Sequence, residues 1–124
     1  MSYQSTTIVG NLGSDPELRY LTNGNPVTNF SVAVNDGYGE EKRVTWFRVS
    51  VYGNQAEPCN QYLSKGRQVL VVGRLKPDES GNPRTFTRKD GTAGASYELV
   101  AQLVKFIGVS GELEATDDGG NIPF

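Results

Sequence analysis

Residues 44–52 alternate without a break. Thr45, Phe47, Val49 and Val51 fall on one side of an extended chain, and Val44, Trp46, Arg48, Ser50 and Tyr52 fall on the other. A period of two over nine residues does not fit a helix, so this segment must be a strand with two faces of different kind. Similar β-rich runs occur over residues 3–12, 27–35, 67–75 and 96–107, separated by clusters of Gly, Asn, Pro and Asp such as Gly13-Ser14-Asp15-Pro16 and Thr22-Asn23-Gly24-Asn25-Pro26. In the fourth run, Gly73 suits a bulge or bend. One helix is predicted over residues 55–65, with Ala56, Cys59 and Leu63 near helical spacing. Pro58 is tolerable there only in the first turn, and Gly66 serves as the stop.

Five strands with a single helix between the third and fourth is the order of an OB-fold, a small Greek-key barrel whose end the helix plugs. The expectation is therefore an all-β barrel domain over residues 1–108, followed by a short flexible acidic tail over 109–124. Residues 76–95 carry Pro77, Gly81, Pro83, Gly91 and Gly94 around a hairpin-like stretch at 84–88, and are predicted to project from the barrel.

Several chemistries are poorly supported. The chain has no histidine, which removes the commonest general base and metal ligand together. A single cysteine, Cys59, makes neither an internal disulfide nor a metal-ligand pattern, and fits a reducing compartment. The glycines form no phosphate-binding loop. The acidic pairs Asp15/Glu17 and Asp78/Glu79 lie in turns, where carboxylates ordinarily serve solvation and local hydrogen bonding. The reading is a non-enzymatic protein without cofactor or metal. No apolar run has the length of a membrane span and no signal peptide is evident, so the expected location is cytoplasmic, associated with the nucleoid.

The net charge of −2 is unevenly spread. Residues 1–111 carry 12 basic and 10 acidic side chains, while Glu112, Glu114, Asp117 and Asp118 make the tail purely acidic. A weakly positive body with aromatics on an open strand face suits unpaired nucleic acid: flat rings stack on any base while arginines neutralise phosphates. Trp46 and Tyr52, with Arg48 between them, are the first candidates. Spacing alone serves equally well a second apolar layer or a subunit interface. Phe86, within Arg84-Thr85-Phe86-Thr87-Arg88-Lys89, shows the aromatic-among-cations pattern of nucleic-acid binders. Tyr38, in a Gly-flanked loop, fits a further ring or a surface tyrosine. Arg74 and Lys76 alternate at the end of the fourth strand, where they reach a groove or simply solvate an edge.

Motifs spread in order along the chain carry a resemblance. They are Val9-Gly10-Asn11-Leu12-Gly13-Ser14-Asp15-Pro16-Glu17-Leu18-Arg19-Tyr20, Phe30-Ser31-Val32-Ala33-Val34, Trp46-Phe47-Arg48-Val49-Ser50-Val51-Tyr52-Gly53, Tyr62-Leu63-Ser64-Lys65-Gly66, Val72-Gly73-Arg74-Leu75 and the terminal Ile122-Pro123-Phe124. Over residues 7–124 the chain resembles the bacterial and organellar single-stranded DNA-binding proteins. The resemblance implies stacking positions at Trp46, Tyr52 and Phe86, with Tyr38 as the nearest match in the loop. It also implies a homotetramer that wraps single-stranded DNA in replication, recombination and repair. The tail, Asp117 and Asp118 followed by Ile122, Pro123 and Phe124, suits docking into a basic-rimmed apolar pocket on replication and repair proteins. Three departures from the family pattern stand out: the linker before Asp117 is short, Gly119-Gly120-Asn121 separates the acids from the apolar tip, and no basic residue precedes Arg19, so the first strand lacks the phosphate contacts typical of the family. The alternative functions are a primosome-type OB-fold adaptor and a single-stranded RNA binder, since stacking does not report the 2′-OH.

Overall fold

The computed structural model describes residues 2–107. Seven strands and one helix follow in the order β1 (Thr6–Leu12), β2 (Glu17–Tyr20), β3 (Pro26–Asp36), β4 (Arg43–Tyr52), α1 (Ala56–Tyr62), β5 (Gln68–Leu75), β6 (Arg84–Thr87) and β7 (Ala93–Ile107). Short 3-10 turns at Gly39–Glu41 and Gly53–Gln55 flank β4. Five long strands close on themselves: β1 pairs with β5, β5 with β7, β7 with β4, β4 with β3, and β3 returns to β1 through Asn11↔Ala33 and Leu12↔Val32. Among the described strands, only β4 and β7 run parallel. The result is the five-stranded barrel of an OB-fold, with its helix between the third and fourth long strands as predicted.

The interior is built from inward positions of every long strand, among them Ile8, Leu12, Phe30, Val32, Val49, Val51, Val69, Val71 and Leu99. These β-branched and aliphatic side chains leave water together, at roughly 1.5–3 kcal/mol for each fully buried one. Cys59 and Leu63 bring the helix into the same cluster, so α1 covers one end of the barrel. Burial pushes the Cys59 thiol up to about 11, which keeps it protonated and chemically quiet at neutral pH. Thr28 is the buried polar side chain among the described residues, and its hydroxyl donates to the Ala56 carbonyl at 2.6 Å.

The differences from the sequence reading have local causes. The helix stops at Tyr62, not Lys65, because Leu63 turns to an extended conformation that carries its side chain into the core. Gly66, with φ of +91°, serves the following turn instead of ending the helix. Pro58 does sit in the first turn. The four-residue β2 was not predicted: Glu17-Leu18-Arg19-Tyr20 alternates, but over a run too short to stand out from the turn residues around it, and the strand is mostly exposed and pairs with the start of β3. Tyr20 then donates to Glu57 at 2.8 Å, tying this hairpin to the helix, and that hydrogen bond together with the carboxylate's charge pushes the tyrosine's pKa up. β7 begins at Ala93, three residues earlier than the alternation suggested, because β6 pairs with its first turn of strand.

The bulge expected at Gly73 is present. Register shifts there, with Val72 opposite Leu103 but Gly73 opposite Ala101, so Gln102 is the extra residue on β7. The bulge lets one 15-residue strand keep its apolar side inward along a bend: Leu99 and Ala101 face the core before it, Val104 and Phe106 after it. Gln55 completes the irregularity, its amide donating to the Gln102 carbonyl at 3.0 Å and accepting from the Val104 N–H at 3.2 Å.

Candidate nucleic-acid interface

The register places the outward residues of four strands on one curved face. β4 contributes Trp46, Arg48, Ser50 and Tyr52, opposite Ala33, Ser31, Asn29 and Val27 of β3. On its other side β4 meets β7, with Arg48 opposite Glu98. β7 in turn sets Ser96 against Arg84 and Gly94 against Phe86 on β6. Directly opposed residues project to the same side of a sheet, so Trp46, Arg48, Tyr52, Arg84 and Phe86 share one surface. Trp46 is 52% exposed, Tyr52 43% and Phe86 47%. Among the described residues, no second apolar layer covers these rings.

Trp46 and Tyr52 lie six residues apart on one strand, which separates their rings by about 20 Å. The floor between them is polar. Ser50 donates to the Asn29 amide oxygen at 2.7 Å, which leaves the Asn29 amide hydrogens available to a ligand. Below Arg48 opens a groove of about 460 Å³ whose lining includes Arg19, Asn29 and Ser31, together with the carboxylates of Asp15, Glu17 and Glu98.

Trp46 keeps its place because of a residue that carries no side chain. A β-carbon built on Gly13 would collide with the far edge of the indole, Cζ3 and Cη2, and would approach the Ser31 hydroxyl to 3.2 Å. Gly13 is itself held by its N–H donating to the Ser31 carbonyl at 3.0 Å. Replacing Gly13 with Ala should therefore tilt the half-exposed indole away, while the core is untouched. The expected result is a shifted Trp46 emission maximum with stability changed by less than about 0.5 kcal/mol, read by fluorescence and urea unfolding.

The β6–β7 hairpin holds Phe86 in the open. Arg88 lies over its ring, with the guanidinium carbon 5.5 Å from the centroid, and donates to the Ala93 carbonyl across the hairpin. Such a contact at an exposed site contributes about 0.5–1 kcal/mol, and about half of the Phe86 surface stays open to solvent. Arg88 is thus partly engaged in supporting Phe86. Arg74 projects outward opposite Val100, and Lys76 follows β5 with its N–H bonded to the Glu98 carbonyl at 2.7 Å, so both flank the same surface. Tyr38 and Lys89 stand apart. Tyr38 is 90% exposed in the β3–β4 turn, and Lys89 lies in the turn that leads from β6 to β7. Asp117, Asp118, Ile122, Pro123 and Phe124 fall outside the described residues.

Sequence reasoning missed Gly13, Glu98 and the Ser50–Asn29 pair, although Glu98 has the outward parity of the last strand. It also missed Tyr97, an exposed ring that packs on Phe47 at 5.4 Å between centroids. Tyr97 has the inward parity of Leu99, so it lies at the barrel's end and not with Trp46.

Comparison with known proteins places this surface in context. Residues 3–107 match the model of the single-strand binding protein family. A single-stranded DNA-binding protein from Neisseria meningitidis serogroup A is 38% identical over 113 residues, covering 87% of this chain and 62% of the relative. Single-stranded DNA-binding protein 1 of Chlorobaculum tepidum is 34% identical over 118 residues, covering 91% of this chain and 66% of the relative. The chain thus spans somewhat less than two thirds of the length of these curated relatives.

Proposed function

The chain belongs to the single-strand binding protein family, and on that premise we propose that it binds single-stranded DNA without sequence preference. Bases stack on Trp46, Tyr52 and Phe86, with Tyr38 reaching in from its loop. Phosphates are neutralised by Arg48, Arg74, Lys76, Arg84, Arg88 and Lys89. The observation that carries this reading is the single open sheet face on which three half-exposed rings alternate with arginines. Binding, not catalysis, is the function. Trp46 is the only tryptophan, so adding poly-dT should quench the protein's tryptophan emission directly. Affinity should fall with salt by about 0.7 log units per log unit for each phosphate neutralised. A preference for duplex DNA over poly-dT would overturn the proposal.

Within a cell, such a protein protects unpaired strands during replication, recombination and repair, stabilising open DNA by mass action. Its acidic tail, ending in Ile122, Pro123 and Phe124, recruits partner enzymes by docking the apolar tip and its carboxylate. Removing those three residues should leave poly-dT binding intact and abolish recruitment of helicase, nuclease or primase; loss of DNA binding instead would contradict the division of labour. The working unit is a homotetramer, as the family resemblance implies. Two features support self-association. β1 pairs with β3 only at Asn11 and Leu12, which leaves one edge of residues 6–10 without a ladder partner among the described residues. Beside that edge, Val9, Leu70, Val72 and Leu103 form an outward apolar patch. Sizing that returned a monomer at micromolar concentration would exclude this assembly. No helix among the described residues is long and apolar enough to cross a membrane. A protein that coats single-stranded DNA in this way works in the cytoplasm, at the nucleoid.

A further inference from the structure

A surface that takes a polyanion should not carry a carboxylate at its centre, yet Glu98 occupies that position. It projects outward from the middle of the open face, directly opposite Arg48 on β4. On its other flank Lys76 is bonded to its backbone carbonyl. Its own carboxylate faces Arg84, with Oε1 3.6 Å from the guanidinium Nε, and accepts from the Ser96 hydroxyl at 3.2 Å through Oε2. Arg84 and Arg48, on the strands to either side, therefore flank one acid, and the Lys76 backbone is tied to the Glu98 backbone. The Arg84 contact is incomplete: 3.6 Å is too long for a hydrogen bond, and Arg84 Nε is shielded from solvent with no hydrogen-bond partner. The pair is only partly buried, with side-chain exposures of 39% for Arg84 and 27% for Glu98.

We propose that Glu98 is an internal competitor for phosphate: it cancels part of the positive charge of Arg84, Arg48 and Lys76 in the free protein and so limits how tightly the face holds single-stranded DNA. This rests on the single-strand binding reading above and names how that site is regulated. A phosphate arriving at the exposed part of the Arg84 guanidinium must outcompete a carboxylate that is poorly placed to hold it. The acid therefore lowers affinity without closing the site. Its effect is largest at low salt, where charges in the groove are least screened.

The test is Glu98→Gln, which keeps the side chain's shape and an acceptor for Ser96 while removing the charge. Binding of the full chain to labelled oligo-dT should tighten roughly fivefold at low salt, the size expected for one exposed ion pair released. The slope of log affinity against log salt should steepen by about 0.7, corresponding to one more phosphate neutralised. Arg84→Gln completes a double-mutant cycle. In the wild-type background it should weaken binding by about two- to fourfold, because the charge is only partly offset, and in the Glu98→Gln background the loss should be larger and remove most of the gain. If wild type binds and Glu98→Gln is unchanged or weaker, Glu98 only anchors the hairpin and the proposal fails while the single-strand reading stands. A loss above about fivefold for Arg84→Gln alone overturns the proposal even if Glu98→Gln does not fold. Failure of the wild type to bind oligo-dT at all overturns both.

Discussion

Trp46→Ala should weaken binding to labelled oligo-dT by about 5- to 150-fold, equivalent to roughly 1–3 kcal/mol, the range established for base–aromatic stacking in single-strand binders as a class. The loss belongs to binding and not to folding. Trp46 is half exposed, makes no part of the central cluster, and stands beside Ala33 and over Gly13 on the outer surface. Urea unfolding of the Ala variant should therefore stay close to wild type. Because the variant lacks the chain's only tryptophan, affinity must be followed by anisotropy of the labelled strand. Trp46→Phe should recover most of the lost affinity, since a smaller ring still stacks. An Ala variant that bound like wild type would remove Trp46 from the interface and leave Tyr52 and Phe86 to carry it.

Gly73→Ala should cost about 3 kcal/mol, a large share of the stability of a domain of this size. A β-carbon there would drive into the Val100 carbonyl group, reaching its oxygen and carbon, and into Cα of Ala101. All three contacts are backbone, so no side chain can rotate away. The strain falls where the register of β5 and β7 shifts, and relieving it would pull Leu99 and Val71 out of alignment on either side. The measurement is the urea midpoint at unchanged slope, with poly-dT quenching still complete below the transition. An unchanged midpoint would mean that the bulge adapts, and that Gly73 is there for another reason.

Much of this architecture was legible in the chain because its cause is local. The alternation of residues 44–52 determines both faces of β4, and the structure keeps every one of those side chains on the expected side. Gly73 announced its bulge because an isolated glycine in a strand usually marks one. The features that were not legible depend on the partner across the sheet. β2 is a four-residue run too short for its alternation to identify it, and it forms where β3 is there to pair with it. Leu63 leaves the helix because the core has room for it, which no spacing rule on α1 reports. At the site, rings and cations could be picked out by type, but their union on one face needed the opposition of Phe86 with Gly94 and of Arg48 with Glu98. Glu98 was invisible for the same reason: an acid on a strand is ordinary until arginines on the neighbouring strands face it.

The order in which the barrel closes has a cost during synthesis. β7, the last of the described strands to be made, lies in the middle of the ring, between β4 and β5 and with β6 upon it. Until it emerges, β4 and β5 each have an open edge, and Val49, Val51, Val69 and Val71 lack the cover of Leu99. At about 5–20 residues per second, the interval between completing β5 and completing β7 lasts roughly 2–6 s. Throughout that interval a neighbouring nascent chain of the same kind offers the missing strand as readily as the ribosome will, so chains made side by side on one message are exposed to exchanging β7 before either has its own.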